Sequence, residues 1–230
     1  MKKTTTILCL GIALCMLGCS DDDDQVTTTS TVPFSLTASL SPRSSDAEDT
    51  GILQGNWDAN SQLAVIKTGS SGVPKSILTR KTDSSDTFTG NLSTLVKNEN
   101  EIAVFYPAAA ITANSSDTLT QTLNLSGQDG TLAGITNYDY LWAQCKAGMN
   151  ETTGSSACEM TSLVTIGKFQ FTVNGGSPLN NITRITITAT AGTLYSSAVM
   201  KLKNGEFSST QTGNITIKNK AGISGTTNRK

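Results

Sequence analysis

Apolar and polar residues alternate with a period of two along most of this chain, a pattern typical of β-strands that bury one face. In PFSLTASL, the apolar residues Phe34, Leu36, Ala38 and Leu40 are separated by serine and threonine. The same alternation recurs in EIAVFY, LTQTLNL, KFQFTV, ITRITITA and NITI. Helical patterns are few: LSTLVKN fits one or two turns, and ACEMTSLVTIG fits a short helix or a buried strand. Many short strands without long helices between them predict an all-β fold, an antiparallel β-sandwich.

Turn-forming clusters rich in Gly, Asn and Pro, such as TGSSGVP, KNEN, SGQDG and NGGSP, separate the predicted strands. On this pattern we predict an N-terminal sandwich of transthyretin-like or immunoglobulin-like type over residues 33–160, and a partial second β domain over 161–230. The second segment has too few strands to close a sandwich alone. Three alternatives follow: the second domain is truncated, its strands complete the first domain, or another chain supplies the missing strands.

Residues 1–18 have the features of a secretory signal peptide. Two lysines precede an apolar run from Ile7 to Leu17, which is too short to span a bilayer as a permanent helix. Gly18 followed by Cys19 resembles the lipobox of bacterial lipoproteins, in which the cysteine is acylated and becomes the new N-terminus. The sequence therefore predicts lipidation of Cys19 and anchoring to a membrane. The alternative is a plain signal peptide with an incidental cysteine.

Four consecutive aspartates lie just after Cys19, and residues 19–32 are predicted to form a lipidated acidic tether. The run from Ser20 to Asp24 resembles the tag that directs lipoproteins of Bacteroides-like bacteria to the outer face of the outer membrane. The alternative is a solvated spacer whose like charges repel one another. A calcium site is not expected, because adjacent aspartates in a tail lack the spaced, turn-held ligands of a calcium loop. No metal and no cofactor is predicted.

Cys145 and Cys158 are the cysteines that remain once the signal peptide and the lipidated Cys19 are set aside. Disulfides persist in exported proteins, so this pair is a candidate bridge. The bridge would restrict the unfolded chain and add roughly 2 kcal/mol or more to stability. Two free, buried thiols are the alternative.

The residue types present exclude most catalytic chemistry. The sequence has no histidine, which excludes Ser-His-Asp and Cys-His hydrolases and histidine-containing zinc sites. A glycosidase would need two carboxylates that meet in a cleft of the fold. Aromatic residues make up 5% of the chain, sparse for a sugar-stacking cleft, so Trp57 and Trp142 are interpreted as packing residues rather than ligand platforms. A net charge of −1 without a basic stripe predicts no nucleic-acid partner. We therefore predict a protein that is not an enzyme.

Several segments, taken in order, resemble the fimbrillin family of Bacteroides-type bacteria, the subunits of type V pili and related surface lipoproteins. FSLTASLSPR is similar to the family's first strand and the arginine after it, and GNWDANSQLAVI to its tryptophan-led strand. FTGNLSTLVKNENEIAVFYPA and LNLSGQDGTLAGITNYDYLWAQ resemble later parts of the first domain, and KFQFTVNGGSPLNNITRITITATAG resembles the start of the second. Asn60 and Ser61 stand where the family usually has Gly-Asp, and the histidine often found in the second domain is absent.

The resemblance implies two sandwich domains and assembly by strand exchange. In the family, a protease cuts after an arginine or lysine near the N-terminus, the first strand leaves, and a strand from the next subunit's C-terminal region enters the groove. Carried over to this chain, Arg43 is the candidate processing site, and the side chains that plug the groove are Phe34, Leu36, Ala38 and Leu40. The alternative for Arg43 is a solvated loop arginine, since the family also contains anchor and tip subunits that are not processed.

These features favour a structural and adhesive subunit of a fimbria, or pilus, at the outer membrane and cell surface. Its expected partners are other fimbrial subunits, the outer-membrane lipid anchor, and a host or bacterial surface ligand. Thr118, within Asp117-Thr118-Leu119, resembles the O-glycosylation signal of these bacteria, although such tripeptides also arise by chance in Thr-rich chains. The alternative function is a monomeric outer-membrane lipoprotein that binds a glycan or another extracellular ligand. Shaft, anchor and tip roles all remain open from the sequence.

Overall fold

The computed structural model describes residues 30–43, 51–69, 72–82, 86–111, 120–167 and 182–223. Strands dominate these ranges, so the prediction of an all-β sandwich is confirmed. The first strands are β1 (Thr31–Ser39), β2 (Gln62–Lys67), β3 (Ser76–Arg80), β4 (Thr87–Ser93), β5 (Glu101–Tyr106), β6 (Thr120–Asn124) and β7 (Leu141–Lys146). The later strands are β8 (Gly148–Met149), β9 (Gly154–Glu159), β10 (Thr161–Ser162), β11 (Ile182–Ile187), β12 (Tyr195–Lys201), β13 (Phe207–Thr212) and β14 (Ile215–Ile223). The helical pieces are short: α1 (Leu132–Ile135) and 3-10 turns at Gly51–Gln54 and Ala108–Ala110.

The largest sheet has nine strands in the order β10-β7-β5-β2-β3-β4-β1-β9-β8. Its described pairs are antiparallel, except that β1 runs parallel to β9. The sheet curls strongly enough for β7 and β9, near opposite ends of the order, to approach within 8 Å between Cα atoms. The curl encloses a first apolar core, whose fully buried members include Leu36, Leu63, Leu78, Phe88 and Ile102.

A second sheet, in the order β13-β12-β6, contributes to a second apolar core. Strand β2 supplies both cores, with Leu63 and Val65 in the first, and Ala64 and Ile66 in the second. The second core also contains Leu123 from β6, Met200 from the end of β12, and Leu202 just after β12. Strand β2 is thus buried on both faces, and its sequence QLAVIK is a continuous apolar run rather than an alternation.

Hydrogen bonds cross the predicted domain boundary at Met160. Strand β6, from the first predicted domain, pairs with β12, from the second, over Thr120–Asn124 and Ser197–Lys201. Strands β11 and β14 form a separate two-stranded sheet. This pairing fits the alternative in which late strands complete the first domain, and the boundary itself stays a prediction. The predicted strand KFQFTV lies outside the described residues.

Candidate strand-exchange site

Strand β1 lies inside the large sheet, with a long strand on each side. Residues Thr31–Thr37 pair with β4, and Phe34–Ser39 pair with β9. We call the two facing edges of β4 and β9, with the core pockets between them, the β1 groove. Without β1, both edges would present unpaired backbone N–H and C=O groups, which is the arrangement that accepts an added strand. In this structure the β1 groove is filled by β1 itself.

Alternate side chains of β1 point into the first core. Phe34, Leu36 and Ala38 are buried, and Leu36 has no exposed surface. Leu40, just beyond the strand, is half-buried and packs against the same core. The structure thus places all four predicted plug residues together. It adds Val32, which is also buried on this face but precedes the segment in which we recognised the alternation.

Phe34 pairs with a glycine on each of the two neighbouring strands. Phe34 is opposite Gly90 on β4 and opposite Gly154 on β9. A Cβ atom added at Gly154 would lie only 2.6 Å from Phe34 Cδ2. Gly154 therefore leaves room for a large side chain at this point of the groove. Gly154 was not predicted from the sequence, because a glycine in a strand indicates a close approach but not which residue approaches.

The C-terminal end of β1 is held by a tryptophan. The indole N–H of Trp57 donates a hydrogen bond of 2.7 Å to the carbonyl of Ala38. The Trp57 ring contacts Phe88 and Tyr106 edge to face, with ring centroids 5.0 and 5.3 Å apart. Only 2% of Trp57 is exposed, so its interpretation as a packing residue holds. Burial, reinforced by the charge of Asp58, raises the pKa of Tyr106 to about 12, which keeps this hydroxyl neutral inside the core.

Arg43, the predicted processing site, is held by an ion pair. Its guanidinium donates to both carboxylate oxygens of Asp139 and, at 3.1 Å, to the hydroxyl of Ser162. Its backbone N–H donates to the carbonyl of Leu53 at 2.8 Å. The Arg43 side chain is 18% exposed and that of Asp139 is 0% exposed. We call this group the Arg43 clamp. Arg43 is therefore not the freely solvated loop arginine of the alternative interpretation, and its guanidinium must leave Asp139 before a protease can bind it.

Cys145 on β7 and Cys158 on β9 are free thiols, each half-buried against the first core. The Ser156 hydroxyl donates a hydrogen bond of 3.3 Å to the Cys145 sulfur, and each of the two thiols shifts the pKa of the other. Interaction with the Cys158 thiol lowers the pKa of Cys145 to about 7, against the opposing effect of burial. The same interaction, together with burial, raises the pKa of Cys158. The structure brings the candidate disulfide partners together, and the bridge itself stays a prediction.

The other sites considered in the sequence give less structural information. Cys19 and Thr118 lie outside the described residues. Within the described ranges, no three His, Cys, Asp or Glu side chains are grouped to hold a metal ion. Trp142 is half-buried, packs on the second core and directs its indole N–H to the Leu202 carbonyl at 3.4 Å. Across the same ranges, no helix has the length and hydropathy needed to cross a membrane.

A cavity of about 510 Å³ lies at the N-terminal end of β1. It is lined by the side of Val32, by Val96 and Met149, and by polar residues of the loops that follow β4 and β8. The described residues that line it include no aromatic side chain.

The sequence matches no protein-family model and no curated protein. Among solved structures, the chain is similar to a protein of Bacteroides ovatus whose proposed role is cell adhesion. The two chains share 14% sequence identity and superpose with a TM-score of 0.46, over 86% of this chain and 74% of the other. Likeness at this level identifies neither a family nor an activity, so the function has to be inferred from the residues of this chain.

Proposed function

We propose that the chain is a structural and adhesive subunit of a cell-surface fimbria, exported as a lipoprotein through Cys19 and assembled by exchange of β1. The observation that carries the proposal is the position of β1. It is the first described strand, yet it fills an internal place in the sheet between β4 and β9. A single cut after β1 separates it from all later strands, so it can leave without pulling any other strand out of the sheet.

The burial of β1 sets how firmly it is held. Each large apolar side chain buried from water contributes roughly 1.5–3 kcal/mol, and β1 buries Val32, Phe34 and Leu36. Backbone hydrogen bonds to two neighbouring strands add to this. A strand bound in this way remains in place after a cut until a competing strand with the same apolar pattern displaces it. These are the properties expected of an exchangeable strand.

Processing after Arg43 is the step that would commit the chain to exchange. A cut there would separate β1, and with it the lipid predicted at Cys19, from the rest of the protein. The Arg43 clamp opposes this cut in the intact fold, because Asp139 holds the guanidinium. The proposal therefore includes a local opening of the clamp before cleavage. The partners that follow are other fimbrial subunits in the groove and a host or bacterial surface as the adhesion target.

The second candidate is a surface lipoprotein that keeps β1 permanently, either as the anchor subunit of a fimbria or as a monomer that binds an extracellular ligand. The Arg43 clamp favours this candidate, because a held arginine is a poor protease substrate. A glycan as the ligand has less support. Trp57 is buried in the core, and the described residues that line the cavity beside Val32 are aliphatic or polar.

The experiment is intact mass determination and N-terminal sequencing of the protein recovered from the surface of its native cells. A new N-terminus at Ser44 supports processing after Arg43 and a polymerising shaft subunit. An acylated Cys19 at the start of every molecule contradicts the shaft role and leaves an anchor or a monomeric lipoprotein. A start elsewhere between Leu40 and Trp57 would keep strand exchange and reject Arg43 as its site.

A further inference from the structure

The two cysteines link the two ends of the large sheet. Cys145 lies on β7 and Cys158 on β9, and these strands stand next to the last strand at either end of the nine-strand order. The two cysteines pack against the same first core, because the sheet curls until β7 and β9 approach. A bond between the two sulfurs would close the curled sheet at a point outside β1.

Strand β9 depends on β1 for most of its hydrogen bonding. It pairs with β1 over Phe34–Ser39, but with its other neighbour, β8, over only Gly148 and Met149. A side-chain bond from the Ser156 hydroxyl to the Lys146 carbonyl, 2.7 Å long, is a further tie to β7. When β1 leaves, one wall of the β1 groove loses its long partner, whereas β4 keeps its pairing with β3. The groove is therefore weakest along β9.

We propose that Cys145 and Cys158 form a disulfide by exchange with a disulfide-bearing oxidant, and that this bond holds β9 as the fixed wall of the β1 groove. The second half of the proposal rests on the proposed function, since a wall is needed only if β1 leaves. The first half stands on the approach of β7 and β9 and on the packing of both cysteines against the first core. The oxidant is a dithiol oxidase or an oxidised low-molecular-weight thiol, which share the same reacting group.

The chemistry proceeds in two exchanges. The Cys145 thiolate attacks one sulfur of the oxidant's disulfide, and the other sulfur leaves as a thiolate. Cys158 then loses its proton and attacks the Cys145 sulfur of the mixed disulfide, releasing the oxidant's second sulfur. The two cysteines lose two protons and two electrons, and the oxidant's disulfide becomes two thiols. The pKa of Cys145 is lowered and that of Cys158 is raised, so Cys145 is the attacking group.

The first test asks whether the bond forms. The mature chain from Ser20 onward has Cys145 and Cys158 as its only cysteines. This protein is incubated with oxidised glutathione and alkylated with iodoacetamide, and its intact mass is then measured by mass spectrometry. The expected product carries no alkyl group and is lighter than the reduced chain by two hydrogen atoms. Two alkylated cysteines, or stable glutathione adducts, would overturn the proposal. Cys158→Ser is the matched control and should end as a glutathione adduct or an alkylated Cys145.

The second test asks whether the bond holds the wall. Hydrogen exchange of the β9 amides is compared in oxidised and reduced Leu36→Ala protein, whose β1 is weakened. We expect the β9 amides to exchange about tenfold more slowly in the oxidised form, while β1 amides exchange alike in both. Equal β9 rates in the two forms would overturn the role of the bond. Cys145→Ser in the same background controls for effects of the reductant and should behave as the reduced form.

The outcomes also separate this inference from the proposed function. In one outcome, the disulfide forms and slows β9 exchange in a protein that keeps its lipidated N-terminus on native cells. This result would reject the shaft role and support the disulfide. A new N-terminus at Ser44 combined with two free thiols would support the shaft role and reject the disulfide.

Discussion

The middle of β1 and its C-terminal end are held by different kinds of interaction. In the middle, Phe34 and Leu36 are bound by apolar packing and by backbone hydrogen bonds to two strands. At the end, Trp57 donates to the Ala38 carbonyl, and Arg43 is paired with Asp139. Any strand with the same apolar pattern can reproduce the first set, whereas the ion pair needs an arginine placed just after the strand. In the proposed exchange, the middle of β1 would provide the affinity and its C-terminal end would control release.

Shortening a plug residue should have the largest effect. Leu36→Ala removes a fully buried side chain between β4 and β9 and should lower the free energy of unfolding by about 3–4 kcal/mol through lost burial and a cavity. Thr37→Ala, at the next and exposed position, should change it by less than about 0.5 kcal/mol. Urea denaturation followed by tryptophan fluorescence measures both. Equal effects of the two substitutions would contradict the assignment of the buried face.

Breaking the clamp should have the next largest effect. Asp139→Ala leaves the Arg43 guanidinium without its carboxylate and should cost about 2–3 kcal/mol, less than for a fully buried pair because Arg43 can turn toward water. Cleavage after Arg43 by an arginine-specific protease should become faster. Limited proteolysis with mass detection, alongside urea denaturation, measures both effects.

The matched control for the clamp is Glu206→Ala, which removes an exposed ion pair with Lys201 whose N–O distance is 3.6 Å. We expect little change in stability from it, because exposed pairs contribute little, and no change in cleavage after Arg43. Faster cleavage in both variants would mean that loss of a carboxylate far from Arg43 has the same effect, and that the clamp does not control access to Arg43.

Weakening the tryptophan contact should cost less. Trp57→Phe keeps an aromatic ring near Phe88 and Tyr106 but removes the donor to the Ala38 carbonyl, and should lower stability by about 2 kcal/mol. Hydrogen exchange should become faster at the end of β1 before it changes at Phe34. If hydrogen exchange becomes equally faster along the whole strand, the middle and the C-terminal end of β1 are not held independently.

Filling the space beside Phe34 should have the smallest effect. Gly154→Ala places a methyl group against the Phe34 ring and the flexible end of Met149, and should cost about 1 kcal/mol. Phe34→Leu in the Gly154→Ala background should lose less stability than Phe34→Leu alone, because the smaller side chain relieves the crowding. A double-mutant cycle measures this coupling. Additive effects would show that Gly154 does not shape the pocket.

The buried face of β1 could be predicted from the sequence because alternation in a strand maps directly onto two faces. The inward direction of Phe34, Leu36 and Ala38 follows from this period alone. Strand β2 could not be assigned a face in this way, because QLAVIK is buried on both sides. The ambiguous segment ACEMTSLVTIG is resolved in favour of strands, since β9 and β10 lie within or overlap it.

The partners of the site residues could not be predicted, because they are distant in the chain. Arg43 and Asp139 are 96 positions apart, and no local pattern links a loop arginine to an aspartate before β7. The pairing of β1 with β9 is similarly remote, so Gly154 gave no signal as the neighbour of Phe34. Local patterns therefore predicted the strand that fills the groove, and only the fold revealed the groove's walls and its clamp.

The most direct test of the central claim is strand replacement in the mature protein. A specific protease site is inserted after Arg43, the chain is cut there, and an isotopically labelled peptide with the sequence of residues 30–43 is added in excess. We predict that the cut protein stays folded and slowly exchanges its own β1 for the labelled peptide. A peptide with serine at Phe34 and Leu36 should not enter. A cut protein that unfolds at once, or that takes up neither peptide while β1 remains bound, would contradict the account.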